Sequence, residues 1–347
     1  MWAAVYRGID DVRLERVPVP RIGAGEALIQ VAACGVCGTD LKKIHYGLVA
    51  PPRIFGHETA GTIVQLGAGV RGWRVGDRVA VMHHVPCMAC YYCAHGAFAQ
   101  CAGYKKTGVT AGFEPAGGGY AEYVRAMDWI VERGLVRIPD GVSFEDATFV
   151  EPVNTVLKAV VRAGLAAGQV ACVAGQGQIG LLFTQILASI GVAVIGIDPL
   201  EGRRAAALGM GAAEAFDPGS GALPSAVRDR TEGRGADAVF VAVPSGDAVR
   251  QAMDLTRAGG TVLLFAHTRL GDGVEIDGGS VCMLEKSVIG SYSSDITLQE
   301  QSARLIFDGT VRVRELVTHR YRLADVCEAI ALAGNPGHGS LKVMVNP

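Results

Sequence analysis

From Gln169 to Asp198 the chain reads QVACVAGQGQIGLLFTQILASIGVAVIGID, an apolar run, a glycine cluster, a longer apolar run and a second short one. Gly175, Gly177 and Gly180 form G-x-G-x-x-G directly after the strand-like QVACVA and open the helix-like QIGLLFTQILASIG, which Gly191 closes. A lone match to this pattern is weak, but inside a β-α-β unit of ~30 residues it reads as a dinucleotide fingerprint. The first glycine permits the tight turn, the second lets backbone approach a pyrophosphate, and the third lets helix and strand pack closely. The helix start at Gln178 and Ile179 then offers unpaired N–H groups and partial positive charge to phosphates. Asp198 stands at the end of the second strand, where a carboxylate accepts hydrogen bonds from ribose hydroxyls and repels a 2′-phosphate. NAD is therefore favoured over NADP, although Arg203, five residues on, can neutralise a phosphate and keeps NADP open.

No charged residue lies between Arg162 and Asp198, which imitates a membrane span, since about 20 apolar residues suffice to cross a bilayer. Gln169, Gln176, Gln178, Thr184 and Gln185 interrupt the run, and its glycines have a soluble explanation, so a globular strand–helix–strand unit is expected.

The texture continues as strand, turn and helix through EGRRAAALGMGA, ADAVFVAV, SGDAVRQAMDLTRAGG and TVLLFA. Continuous apolar strands alternating with helices predict an α/β fold with a doubly wound parallel sheet covered on both faces. Before about residue 150 the chain is different. EALIQVAA, TAGTIVQLG, DRVAVM and AEYVRA are short strand-like runs between Gly, Pro and Asp turns, the pattern of a compact β domain. After about residue 290, LQEQSARLIFDG and RLADVCEAIALAGN read as helices and LKVMVNP as a last strand that returns to the first domain. At 347 residues two domains are expected.

Lys and Arg number 32 against 34 Asp and Glu, a net charge of −2 with no long run of either sign. That balance lacks the electrostatic footprint of a nucleic-acid or membrane-surface binder. The N-terminal MWAAVYRGIDDVRLER has no apolar secretion core, so a reducing, cytoplasmic setting is expected. There, the clustered members of nine cysteines bind metal instead of oxidising.

Two metal-like constellations stand out. Cys87, Cys90, Cys93 and Cys101 read C-x2-C-x2-C-x7-C, flanked by His83, His84 and His95. Upstream are CGVCGTD, residues 34–40, and GHE, residues 56–58, whose thiolate, imidazole and carboxylate can make a zinc site with one open position. Thr59, Ala60 and Gly61 follow the H-E pair, so the metalloprotease motif is absent.

CGVCGTD, GHE, the four-cysteine stretch and the fingerprint with Asp198 occur in the order and spacing of the zinc-containing medium-chain alcohol dehydrogenases, and VEPVNT around Glu151 most resembles the sorbitol and threonine branches. The resemblance implies a GroES-like catalytic domain over 1–154 and 291–347, a Rossmann domain over 155–290, and two zinc ions per subunit. Cys37 and His57 match catalytic zinc ligands. The third ligand stays open between Glu58 and Glu151, and Cys34 matches no ligand position. Asp40 resembles the residue that orients the ligating histidine, and Thr39 matches the hydroxyl that takes the substrate proton into a relay. The relay's usual histidine is replaced by Lys42, a poor shuttle near neutrality, which leaves His45 as the substitute. Thr155 matches a position that helps hold the nicotinamide end. Cys87, Cys90, Cys93 and Cys101 match the structural zinc lobe, and Cys172, Cys282 and Cys327 are read as packing residues.

The expected activity is reversible oxidation of a secondary alcohol or polyol to a ketone, with hydride passing to NAD, by a homotetramer or homodimer. A threonine-type amino-alcohol dehydrogenase is the alternative. A non-catalytic dinucleotide-binding relative would lose zinc ligands, and a zinc-free quinone reductase would lack the cysteine lobe. Tyr46, Phe55, Tyr92 and Phe113 are candidates to line a pocket or to pack.

Overall fold

Apolar runs without alternation need cover on both faces, and the segment after residue 154 supplies it. A computed structural model describes all residues except 105, 107–108, 111–117, 267–270, 272 and 336–338, so Phe113 lies outside the described residues. The chain divides into two compact units, Met1–Asn154 with Ser294–Pro347, and Thr155–Ser293.

In the second unit six strands form one sheet in the order Glu214–Phe216, Ala193–Ile197, Val170–Ala174, Ala236–Val241, Thr256–Leu264 and Ser287–Gly290. Every pairing is parallel. Numbered along the chain, the order is 3-2-1-4-5-6, with the topological switch beside Val170–Ala174, where ligands of such sheets bind. All five residues of that strand are buried. The helix Gln178–Ser189 follows, with Leu181, Leu182, Phe183 and Leu187 fully inside. Gly175 adopts φ +91°, which a side chain rarely tolerates, and a Cβ at Gly180 would overlap the Gly175 carbonyl oxygen.

In the first unit an eight-stranded sheet follows the path Val317–Arg322, Lys342–Asn346, Ala27–Gly35, Glu58–Leu66, Arg78–Val81 and Leu135–Arg137, with Tyr123–Ala126 pairing off it to Ala27–Gly35 and Val109–Thr110 to Tyr123–Ala126. The last strand of the chain pairs antiparallel with Ala27–Gly35, Met344 opposite Gly35 and Val345 opposite Cys34. A smaller sheet joins Asp11–Arg16, Trp2–Gly8 and Arg53–Ile54. Ile29, Ile54, Ile63, Tyr120, Val124 and Ile130 form much of the core. The cysteine stretch makes a separate small cluster of Cys93, Phe98, Ala99, Cys101 and Tyr104. Among the described residues no helix is long and apolar enough to cross a membrane.

Two packing expectations need correction. Cys172 is buried, but Cys282 and Cys327 are exposed. Their helices carry apolar neighbours on more than one face, so an apolar context along the chain does not tell which face a given position occupies.

Candidate functional site

Residues that sit far apart in the sequence meet where the first unit's strands end. Cys37 is the N-cap of the helix Gly38–Tyr46, its sulfur accepting from the Thr39 N–H at 3.5 Å. Glu58 begins the strand Glu58–Leu66, and His57 immediately precedes it. Ligand atoms of Cys37, His57 and Glu58 lie within 4.8 Å of one another, close enough to share one ion. Three donors, one of them a carboxylate, leave a tetrahedral ion a fourth position.

His57 is aimed by its neighbours. Its Nδ1 lies 3.0 Å from Asp40 Oδ1, a contact that favours an Nδ1–H and leaves Nε2 available to a metal ion. Asp40 is 1% exposed, and its Oδ2 accepts from the Gly56 N–H at 3.2 Å and the Tyr120 hydroxyl at 3.4 Å. Burial works against the Asp40 charge, but His57 first, then Lys43 and the Gly56 N–H, hold its carboxyl below the usual range. His57 is moved well above the ordinary imidazole value; burial opposes this, and Asp40 and Cys37 overcome it. Asp40→Asn keeps an acceptor for Nδ1–H but removes the charge, and zinc affinity at this site should fall ~10–100-fold in a chelator competition titration.

Glu58 and Glu151 differ in what faces them. Lys342, wholly buried, donates a short hydrogen bond to Glu58 Oε2 and another to the Val36 carbonyl at 3.2 Å. Its ammonium also sits 5.6 Å from the Phe149 ring centroid. Glu151 is 8% exposed in the helix Val150–Ala163, and burial, with repulsion from Glu58 and against the pull of His57, raises it to about 7. Glu58 thus keeps a dedicated cation, while Glu151 is the carboxyl that burial neutralises most readily. Thr39 is exposed beside Cys37, and His45 is drawn to Asp10, Nδ1 to Oδ1 at 3.2 Å. Phe55 packs against Tyr6 at 5.3 Å between centroids, whereas Tyr46 and Tyr92 are exposed.

The second group is closed. The sulfurs of Cys87, Cys90, Cys93 and Cys101 lie within 4.8 Å of one another, with Cys90 to Cys93 at 3.6 Å and Cys87 to Cys93 at 4.0 Å. Four thiolates about 2.3 Å from a tetrahedral zinc stand about 3.8 Å apart, so the spacing fits a zinc lobe. All four cysteines are free, and the gaps are far longer than a disulfide bond of about 2.05 Å. Burial and the thiols of Cys90 and Cys101 push Cys93 to about 12. Burial also opposes ionisation of Cys101, but hydrogen bonds from Cys87 and the Tyr104 backbone bring it down to about 6.

In the second unit Gly177 caps the helix Gln178–Ser189 without a side-chain hydrogen bond, so its first N–H groups remain available to phosphate. Gln178 and Ile179 are half-buried at that helix start, and Thr155 is half-buried in the helix Val150–Ala163. Asp198 is 2% exposed; Oδ2 accepts from the Gln176 N–H at 2.8 Å and Oδ1 from the Leu200 N–H at 2.9 Å. Arg203 Nη1 lies 3.7 Å from Asp198 Oδ2. The carboxylate therefore braces the glycine turn.

Sequence reasoning missed Lys342 and Tyr120, which carry no motif. It placed His83 and His84 only beside the cysteine lobe, yet the His83 ring stands 4.8 Å from the His57 ring.

Comparison with known proteins agrees with this geometry. Residues 23–140 match the alcohol dehydrogenase GroES-like domain family, and residues 179–307 the zinc-binding dehydrogenase family. Sorbitol dehydrogenase from Halalkalibacterium halodurans is 32% identical over 92% of this chain and 91% of its own length. L-threonine 3-dehydrogenase from Pyrococcus furiosus is 30% identical over 91% and 89%. A zinc-binding dehydrogenase from Sinorhizobium meliloti 1021, solved bound to NADP, superposes with a TM-score of 0.89 at 28% identity, covering 100% of this chain and 99% of that one. With an open three-ligand group, a closed four-thiol group and a glycine-led parallel sheet in one chain, the protein belongs to the zinc-binding medium-chain alcohol dehydrogenase family.

Proposed function

We propose that this chain is a zinc-dependent, NAD-linked dehydrogenase that reversibly oxidises a secondary alcohol or polyol to a ketone. The observation that carries the reading is the convergence of Cys37, His57 and Glu58 within 4.8 Å, with Asp40 behind the histidine. Cys37, His57 and Glu58 hold the catalytic zinc, and Glu151 is the second carboxylate near it, free to replace Glu58 as the coordination changes. When bound, zinc polarises the alcohol oxygen and the nicotinamide accepts the hydride. Thr39 receives the hydroxyl proton and passes it towards solvent. Cys87, Cys90, Cys93 and Cys101 hold a structural zinc that takes no part in the chemistry.

Gly175, Gly177, Gln178, Ile179 and Gly180 cradle the pyrophosphate, Asp198 and Arg203 meet the adenosine ribose, and Thr155 supports the nicotinamide end. Asp198→Ala removes the repulsion of a 2′-phosphate and a brace of the glycine turn. It should raise the KM for NAD ~10-fold or more and shift the NAD-to-NADP ratio of kcat/KM towards NADP in steady-state assays.

Among the described residues the strand Ser287–Gly290 ends its sheet, with exposed Ile276, Met283, Leu284 and Tyr292 in the same stretch of chain. These features support assembly into a homotetramer or homodimer, which light scattering measures.

The deciding experiment is metal content per chain together with NAD reduction over diols, polyols, simple secondary alcohols and threonine, before and after chelation. Two zinc ions per chain, with activity lost while one remains, is the expected result. Turnover that survives complete removal of zinc would sink the reading.

A further inference from the structure

The segment between the strand Arg78–Val81 and the first lobe cysteine carries two histidines that neither metal group uses. Their rings form a ladder. His57 to His83 is 4.8 Å between centroids, His83 to His84 is 3.9 Å, and His84 to Tyr104 is 5.4 Å. The ladder begins at a ligand of the open group and ends in the cysteine lobe. Tyr104 is 2% exposed in the cluster with Cys93 and Cys101, and its N–H donates to the Cys101 carbonyl at 3.0 Å. Its hydroxyl lies 2.7 Å from Ser294 Oγ.

Neither Nδ1 of His83 nor of His84 has a hydrogen-bond partner among the described residues, so the ring contacts do much of the work of orienting them. A backbone hydrogen bond at Lys106, just beyond the lobe, also holds His84. Burial lowers both imidazoles, His84 to about 4.

We propose that His83 and His84 are positioning residues that couple the two metal groups, so that metal in the cysteine lobe tightens metal binding at Cys37, His57 and Glu58. The lobe supplies the two states that coupling requires. Loaded, four thiolates fix residues 87–101; unloaded, the five-residue cluster of Cys93, Phe98, Ala99, Cys101 and Tyr104 is too small to hold itself together. Release of Tyr104 removes the outer neighbour of His84, and the loosened stack lets the His57 ring drift from its ligating position. Coupling between sites in one protein is typically ~5–150-fold in affinity, and the reverse effect is equal in size.

The inference rests on the metal assignments proposed above, and cobalt separates the two. Co²⁺ is titrated into the open group of protein carrying zinc in the lobe, with affinity and coordination read from its visible d–d absorption. Cys87→Ser weakens the lobe and is expected to lower Co²⁺ affinity about tenfold and to shift the band. His84→Ala, with lobe zinc retained, is expected to do the same and to add little in the Cys87→Ser background, whereas His84→Phe restores wild-type behaviour because it keeps the ring. Wild-type Co²⁺ affinity in folded Cys87→Ser protein with an empty lobe, or full additivity of the two substitutions, overturns the proposal. If Cys87→Ser does not fold, an unchanged band and affinity in His84→Ala overturns it. No cobalt band in the wild-type protein would overturn the open-site assignment and the coupling with it.

Discussion

His57→Ala is expected to abolish turnover, lowering kcat by at least ~10³-fold, while the chain stays folded and keeps one zinc of two. The imidazole contributes one of three donors, and its loss leaves Cys37 and Glu58 as an incomplete set. Electrophilic stabilisation of a developing negative oxygen is worth several kcal/mol, and ~4 kcal/mol corresponds to ~10³ in rate. The fold should survive because His57 lies at the edge of the core, with Ile54 and Ile63 packed independently of it. Metal analysis, circular dichroism and steady-state kinetics on one preparation check the three parts. A variant that turns over at near wild-type rate with one zinc would place the chemistry elsewhere.

The second large effect is on stability. Cys93→Ser should remove the structural zinc and cost about 3–5 kcal/mol, the scale on which loss of a structural metal is felt. For a unit of about 200 residues each kcal/mol moves Tm by roughly 2–4 °C, so a fall of about 6–20 °C is expected by thermal unfolding. Cys93 is buried, as is Cys101, and its sulfur lies within 4.0 Å of both Cys87 and Cys90, so its loss removes a central thiolate of the group. Cys282→Ser, on an exposed helix, should leave Tm within ~0.5 kcal/mol of unchanged stability and serves as the control. A Cys93→Ser protein with two zinc ions and unchanged Tm would exclude a structural role for the lobe.

The two metal groups differ in how far the sequence reveals them. The lobe is local: four cysteines within fifteen residues need only a short loop to close on an ion, so spacing alone identifies them. The open group is assembled from a helix cap at Cys37 and a strand start at Glu58, which the pairing of Ala27–Gly35 with Glu58–Leu66 brings together, Gly35 opposite Glu58. Motif resemblance points to these residues, but the choice between Glu58 and Glu151 does not follow from either motif. What distinguishes the two structurally is Lys342, 284 residues away from Glu58, which arrives on the last strand to face it.

The sequence by itself determined the parallel sheet of the second unit, the glycine turn at its first strand and the clustering of four thiols in the lobe, and it singled out Cys37 and His57, which the fold brings together. Each rests on periodicity or short spacing, which backbone geometry converts directly into position. Only the tertiary structure decided that Lys342 is the buried cation of Glu58, that Tyr120 supports Asp40, that Cys282 and Cys327 face solvent, and that the His83 and His84 rings stand in line between His57 and Tyr104. Those contacts depend on which strand edges meet and how side chains pack across them, and neither is written in the order of neighbouring residues.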